Sequence, residues 1–223
     1  MAYRFDFGAI FDYTPVLLKG VAVTIELIGV GAVLGVAVGI ACAWARTFGP
    51  RWLRPVVSAY VELMRNTPFL IQLFFIFFGL PSIGVKLTEM QAAILAMVVN
   101  LGAYSAEIIR AGIQATPRGL IEAGASLALT RLQIFRYVVL KPALQRIWPA
   151  LSSQIVIVML GSAVCSQIAA EELTFAANFI QSRNFRAFET YFVVTAIYLL
   201  LAILLRQVLR TLGWWMFPRK APR

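Results

Sequence analysis

Five charged residues sit where an otherwise apolar chain can least accommodate them: Glu26, Glu62, Arg65, Glu107 and Arg110. A carboxylate in such a place can hold a proton or a cation, or it can neutralise a neighbouring base. Left alone, each charge costs roughly 2.5–3.5 kcal/mol at the centre of a membrane-spanning helix. Glu62 with Arg65, and Glu107 with Arg110, stand three apart, close enough on one helix face to pair. Glu26 and Glu62 are thus candidates for an ion-binding site. Glu107 and Arg110, at the end of their apolar run, read as the base of a loop. Other chemistry is poorly supplied. The chain has no His, which removes the commonest general base and metal ligand. Cys42 and Cys165 both fall inside apolar runs and read as small buried hydrophobes, with no disulfide framework or metal spacing. No GxxxxGK[ST] sequence occurs, so the chain carries no phosphate cradle of that kind. The expectation is a protein without a catalytic residue of its own.

Neutral polar residues recur inside the apolar runs: Gln72, Asn100, Tyr104, Gln154 and Ser162. They are candidates for lining a polar path through the membrane. The alternative for each is an interhelical hydrogen bond, worth about 0.6–2 kcal/mol.

The elements that must position these groups follow from composition. Of 223 residues, 61% are hydrophobic and 13% charged, and the mean hydropathy is +0.81. A soluble domain is closer to half apolar and a quarter charged. Residues 27–45, 66–85 and 147–170 carry no Asp, Glu, Lys or Arg, and 90–106 and 190–205 are shorter runs of the same kind. A spanning helix needs roughly 20 mostly apolar residues, and isolated strands cannot satisfy their backbone in lipid. The fold class expected is an all-α integral membrane protein of about five transmembrane helices. Their expected extents are Pro15 to Ala45, Pro55 to Pro81, Glu89 to Gly112, 147–168 and 190–211. Gly31, Gly35 and Gly39 fall four apart in the first helix, a spacing that lets helices approach closely, within the chain or across a dimer seam. Pro68 breaks or kinks the second, and Arg65, Thr67 and Pro68 with Glu62 form a candidate inner gate. Phe5, Phe7, Ile10 and Phe11 are candidate interfacial anchors in an amphipathic lead-in, residues 1–14, which lacks the features of a cleavable signal.

The net charge of +10 follows this topology and not a nucleic-acid partner. With the N-terminus outside, fourteen bases fall on inside segments and five on outside ones, leaving aside Arg65. That bias predicts an external N-terminus and a cytoplasmic C-terminus. Residues 213–223 then form a basic cytoplasmic tail facing anionic lipid. Residues 113–146 form a long cytoplasmic loop within a single membrane domain, 15–212. In it, "IEAGASLALTRLQIF" reads as an amphipathic helix rich in strong helix formers. Leu120, Ala123, Leu127 and Ile134 are expected to rest on the membrane domain or on a partner, with Glu122, Arg131 and Arg136 facing water or protein.

This loop resembles the cytoplasmic EAA loop of ABC importer permeases: Glu122, Ala123 and Gly124 stand at the Glu-Ala-Ala positions, with Ala128 where the pattern has Gly. "YVELMRNTPFLIQLFFIFFGLP", "NLGAYSAEIIRAGIQATPRGLIEAGASLALTRLQIFRYVVL" and "FIQSRNFRAFETYFVVTAIYLLL" are similar to segments of the polar amino-acid permeases, the histidine/glutamate/glutamine/arginine/opine type. The resemblance covers about residues 14–212. It implies a MetI-like permease fold in a bacterial cytoplasmic (inner) membrane. It also implies pairing with a second permease, identical or paralogous, and ABC ATPase subunits that hold ATP and Mg. A periplasmic or extracellular solute-binding protein and an amino-acid substrate complete the implied assembly. Glu122, Ala123, Gly124, Leu127, Ala128 and Arg131 would belong to a coupling helix against the ATPase. Three departures stand out. Ala128 adds a methyl where the pattern has none, and Lys141 holds the pattern's proline position, with Pro142 one later. Uncharged Leu160–Ala163 replaces a Lys-Asp-Thr-Ser stretch found in many relatives. A reading from another class is an ion-coupled secondary transporter using Glu26 or Glu62. Such folds often carry inverted repeats, and no internal repeat is visible here.

Overall fold

The computed structural model describes residues 5–217, and every regular element among them is helical. The chain runs through α1 (Thr14–Thr47), α2 (Leu53–Arg65), α3 (Phe69–Ile83), α4 (Glu89–Gln114), α5 (Arg118–Ser126), α6 (Arg131–Ile168), α7 (Leu173–Asn184) and α8 (Ala187–Met216). Helices α1, α4, α6 and α8 are long and apolar enough to cross a membrane; α2 and α3, bent by 113° at their break, bring the number to five when taken as one span. Residues 1–4 of the lead-in and 218–223 of the basic tail lie outside the described residues.

The break at Pro68 has its expected cause. Proline lacks an N–H and disfavours helix at the residue before it. Two side chains take up carbonyls of the last helical turn: Asn66 Nδ2 donates to the Glu62 carbonyl at 2.8 Å and Thr67 Oγ1 to that of Leu63 at 2.8 Å. The helix that carries the fourth span is longer than expected. It begins at Arg131 and not near 147, because the helix carries Arg136, Lys141 and Arg146 along exposed positions. Pro142 is accommodated inside it. A widened π-type turn over Ile134–Val139 covers Val138, whose carbonyl would otherwise await the N–H that Pro142 lacks.

Helices cross between two compact units. One comprises Met1–Gly31, Phe69–Met97 and Val156–Leu205; the other comprises Ala32–Pro68, Val98–Ile155 and Arg206–Arg223. The first unit is built on Ile10, Leu17, Leu173, Ala177, Ile180 and Val194. Ile10 is therefore a core residue and not an interfacial anchor, whereas Phe5 and Phe11 stay exposed. The short helix α7 is seated firmly here. Glu172 caps it by accepting from Phe175 N at 2.8 Å, and Tyr198 donates its hydroxyl to the same carboxylate. Burial pushes the Glu172 carboxyl above the usual carboxylate range, against the opposing effect of these donors. A Cβ on Gly20 would stand 2.9 Å from Leu173 Cα, so the glycine permits that approach. A Cβ on Gly31 would stand 3.4 Å from Met97 Cβ, an ordinary contact.

In the second unit the glycine stripe continues against α4. A Cβ on Gly35 would meet Leu101 Cβ at 2.9 Å, and one on Gly39 would meet Ser105 Cβ at 2.4 Å. The stripe packs within the chain. Tyr60 ties α2 to the same helix, donating to the Val99 carbonyl at 2.6 Å. Ala43, Ile109, Ile113, Ile134, Phe135 and Val139 are among the residues that form the core beneath the loop.

Candidate functional site

The loop between α4 and α6 lies in the second unit and is built on a short helix and a capped turn. Pro117, with extended backbone, starts α5, where its missing N–H leaves no bond unmade. Gly124 is buried, and a Cβ there would come within 3.2 Å of Ile134 Cγ1 and 3.5 Å of Val138 Cγ2. The helix thus lies with Ile121 and Gly124 against α6. A sharp turn follows. Ala128 adopts a left-handed backbone, φ 56°, and Thr130 and Gln133 form a reciprocal cap. Gln133 N donates to Thr130 Oγ1 at 3.3 Å and Thr130 N to Gln133 Oε1 at 2.8 Å, satisfying two donors of the new helix.

The pattern's glycine at this position is thereby explained by backbone angle. Ala128 is exposed, so its methyl meets no crowding; the expected tight spot is instead a dihedral constraint. A left-handed residue other than glycine costs roughly 1–2 kcal/mol. Ala128→Gly is expected to stabilise the protein by about 0.5–1 kcal/mol after glycine's larger chain entropy is set against it. A thermal melt in detergent checks this as a small rise in midpoint.

Of the four apolar residues assigned to one face, only Ile134 is buried. Leu120 is 45% exposed and Leu127 75%, and Ala123 is exposed beside Glu122 and Arg131. Leu120, Ala123 and Leu127 recur at helical spacing, i, i+3 and i+7, and form an outward apolar strip flanked by one acid and one base. Inward packing falls to Gly124, which carries no hydropathic signal.

Charge fixes the base of the loop. Glu107 on α4 accepts from Arg46 Nη1 of α1 at 2.9 Å and from Arg110 Nε at 3.1 Å to both carboxylate oxygens. All three side chains are less than a third exposed. Arg146 of α6 donates to the Ala115 carbonyl, a second tether. Arg46 stood in the sequence only as one base of a turn; its pairing across 61 residues has no local signature. Glu107→Gln removes the charge that both arginines share. It is expected to destabilise the protein by about 1.5–3 kcal/mol, the usual worth of hydrogen bonds to charged groups. A lowered melting midpoint in Glu107→Gln, with a smaller drop in Arg46→Gln, checks it.

The remaining candidates are placed separately. Glu62 and Arg65 are both exposed and do not pair. Glu62 Oε2 accepts from Asn66 at 3.3 Å, and the Arg65 guanidinium lies 5.8 Å from the centroid of the Tyr104 ring. Tyr104 donates to the Arg65 carbonyl at 3.4 Å, so the second unit brings Arg65 and Tyr104 together beside Thr67 and Pro68. Asn100 is buried and Gln154 half-buried in the same unit. In the first unit Gln72 and Ser162 are buried; Ser162 donates to the Met159 carbonyl at 2.6 Å. Glu26 is exposed on α1. No group of three His, Cys, Asp or Glu placed to hold a metal ion occurs among the described residues.

The family model described as "Binding-protein-dependent transport system inner membrane component" matches residues 35–213. The chain is 34% identical over 211 residues to the glutamine transport system permease protein GlnP of Escherichia coli strain K12, covering 94% of this chain and 96% of that protein. Among solved structures it superposes on a chain of an amino acid ABC transporter crystallised with histidines, at a TM-score of 0.84 and 34% identity, covering 95% of this chain and 99% of that one. It shares its fold with the inward-facing MetNI methionine ABC transporter, at a TM-score of 0.74 and 23% identity, covering 90% and 96%.

Proposed function

Because the chain belongs to the binding-protein-dependent transport system inner membrane component family, we propose that it is the permease subunit of an ATP-driven ABC importer for polar amino acids. It is a multi-pass membrane protein with the MetI-like fold. In this reading it resides in a bacterial inner membrane, N-terminus outside, pairs with an identical or paralogous permease, and receives substrate from a solute-binding protein. It holds no cofactor; ATP and Mg belong to ATPase partners, and no catalysis is assigned to this chain.

The outward strip of α5 carries the proposal. An apolar face left open beside Glu122 and Arg131, on a helix pinned from behind by Gly124, suits insertion into a groove of another protein. The charges at its edge fix register. The base of the loop is stiffened by Glu107, Arg46 and Arg110, so a push on α5 reaches α1 and α4 without being absorbed locally. Closure of the ATPases would draw the coupling helices together and open the path outward; their separation would reset it inward. Arg65 and Tyr104, neighbours beside the Pro68 break, would act as an inner gate. Asn100 and Gln154 in the second unit, and Gln72 and Ser162 in the first, are retained as separate candidates for lining a polar path.

The test is co-purification. ATPase subunits are expected to accompany the wild-type chain in stoichiometric amount and to be lost or uncoupled in Glu122→Lys. A wild-type chain that moves amino acids with no ATPase attached would overturn the proposal in favour of an ion-coupled carrier. Against that carrier, Glu26 and Glu62 are both exposed, whereas an ion site needs an enclosed carboxylate with further ligands.

A further inference from the structure

A second site lies in the same unit, away from the coupling loop. Helices α6 and α8 enclose a cleft of about 870 Å³ whose lining includes Trp148, Ser152, Arg206, Arg210, Trp214 and Phe217. Its floor is deliberate. Trp148 Nε1 donates to the Leu209 carbonyl at 2.9 Å, and its ring lies where a Cβ on Gly213 would come within 2.3 Å of Nε1. Phe217 packs edge-on against it with centroids 5.7 Å apart.

Depth in the membrane follows from charge. Helix α8 has 30 residues, about 45 Å at 1.5 Å per residue. Its charge-free stretch, residues 190–205, accounts for about 24 Å of that, most of a hydrocarbon core of about 30 Å. Arg206 and Arg210 therefore emerge at the membrane–water boundary, four apart on one helix face. Trp214, 69% exposed, and Trp215, 80% exposed, stand at the level where Trp is enriched. On α6, Trp148 stands two residues after Arg146, in the first turn of the next charge-free run, which places it at a boundary too.

The cleft is cationic and mostly apolar. No carboxylate lies within ion-pairing distance of Arg206 or Arg210 among the described residues; the Arg210 guanidinium lies over the Trp214 ring at 5.0 Å. No acid is among the lining residues. Ser152 Oγ is buried with no hydrogen-bond partner among the described residues. An occupant must offer an anion to two guanidiniums and an apolar body to Trp148, Pro149 and Phe217. The geometry points to the headgroup and upper acyl chain of one anionic phospholipid, seated between α6 and α8 with its phosphodiester on Arg206 and Arg210. The site holds the end of α8 to the membrane boundary.

The test uses the full-length chain with whatever subunits co-purify, delipidated in detergent and titrated with phosphatidylglycerol or phosphatidylcholine by native mass spectrometry. Wild type is expected to bind phosphatidylglycerol at least tenfold more tightly than phosphatidylcholine. Arg206→Gln with Arg210→Gln should weaken phosphatidylglycerol about 30-fold, each base near an anionic surface being worth about fivefold. Arg183→Gln, an exposed base elsewhere, should change nothing. Ser153→Trp keeps both arginines and narrows the cleft beside Trp148, so it should weaken phosphatidylglycerol binding even if the double variant folds poorly. Equal binding of the two lipids, or full phosphatidylglycerol binding in both cleft variants, would overturn the assignment. So would displacement of the lipid by glycerol phosphate or a free amino acid at matched concentration, which would make the cleft a small-anion site.

Discussion

Leu127→Asp is expected to abolish ATP-driven uptake while leaving the permease folded. Leu127 closes α5 with three-quarters of its surface exposed, so a carboxylate there meets water in the isolated chain and costs little. Once docked in an ATPase groove, the same side chain would bury its apolar surface. Losing a buried leucine forfeits about 1.5–3 kcal/mol, and desolvating an unpaired carboxylate adds to the loss. At 1.4 kcal/mol per tenfold, affinity should fall by about 30-fold or more. The check is uptake per correctly inserted permease, with the melting midpoint measured on the same preparation. Normal uptake by the variant would show that this strip contacts nothing during transport. A collapsed midpoint would show that it is part of the fold.

The second large effect concerns one substitution at two positions of the same helix. Gly39→Ala should be severe: a Cβ at 39 would stand 2.4 Å from Ser105 Cβ and 3.0 Å from Ala106 N. A helix backbone cannot yield as a side-chain tip can, so α1 and α4 must separate. Overpacking of this kind costs about 1–3 kcal/mol, occasionally more, and here it also disturbs the neighbouring pair at Gly35 and Leu101. Gly29→Ala meets nothing within 4 Å and should gain up to about 1 kcal/mol from helix propensity. The expected result is opposite shifts in melting midpoint from identical chemistry. Equal shifts would mean that the glycine stripe is not a packing surface.

Much of this architecture is legible in the residues because membrane insertion is written in composition. Charge-free runs locate the spans, and Pro68 locates the break. The start of α6 is hidden for a physical reason: Arg131, Arg136, Lys141 and Arg146 dilute its apolar signal, although a helix can carry them all on exposed positions. The orientation of α5 is hidden for another. Hydropathy points to leucines as the packed face, but close approach selects Gly124, a residue with no side chain to score. Ala128 shows the same limit, since φ is invisible to a pattern that counts methyls. Pairings across long separations, Arg46 with Glu107 or Trp148 with the Leu209 carbonyl, leave no local trace. The family resemblance anticipates the fold; the coupling role of the loop and the substrate class belong to the proposed function.

The most direct measurement is reconstitution. The chain would be placed in proteoliposomes with a candidate permease partner, solute-binding protein and ATPase subunits, and radiolabelled polar amino acids would be supplied outside. Uptake is expected to require internal ATP, to stop when the ATPase subunits are omitted, and to be indifferent to an imposed proton or sodium gradient. Uptake that persists without ATPase subunits and follows the ion gradient would contradict the proposed function.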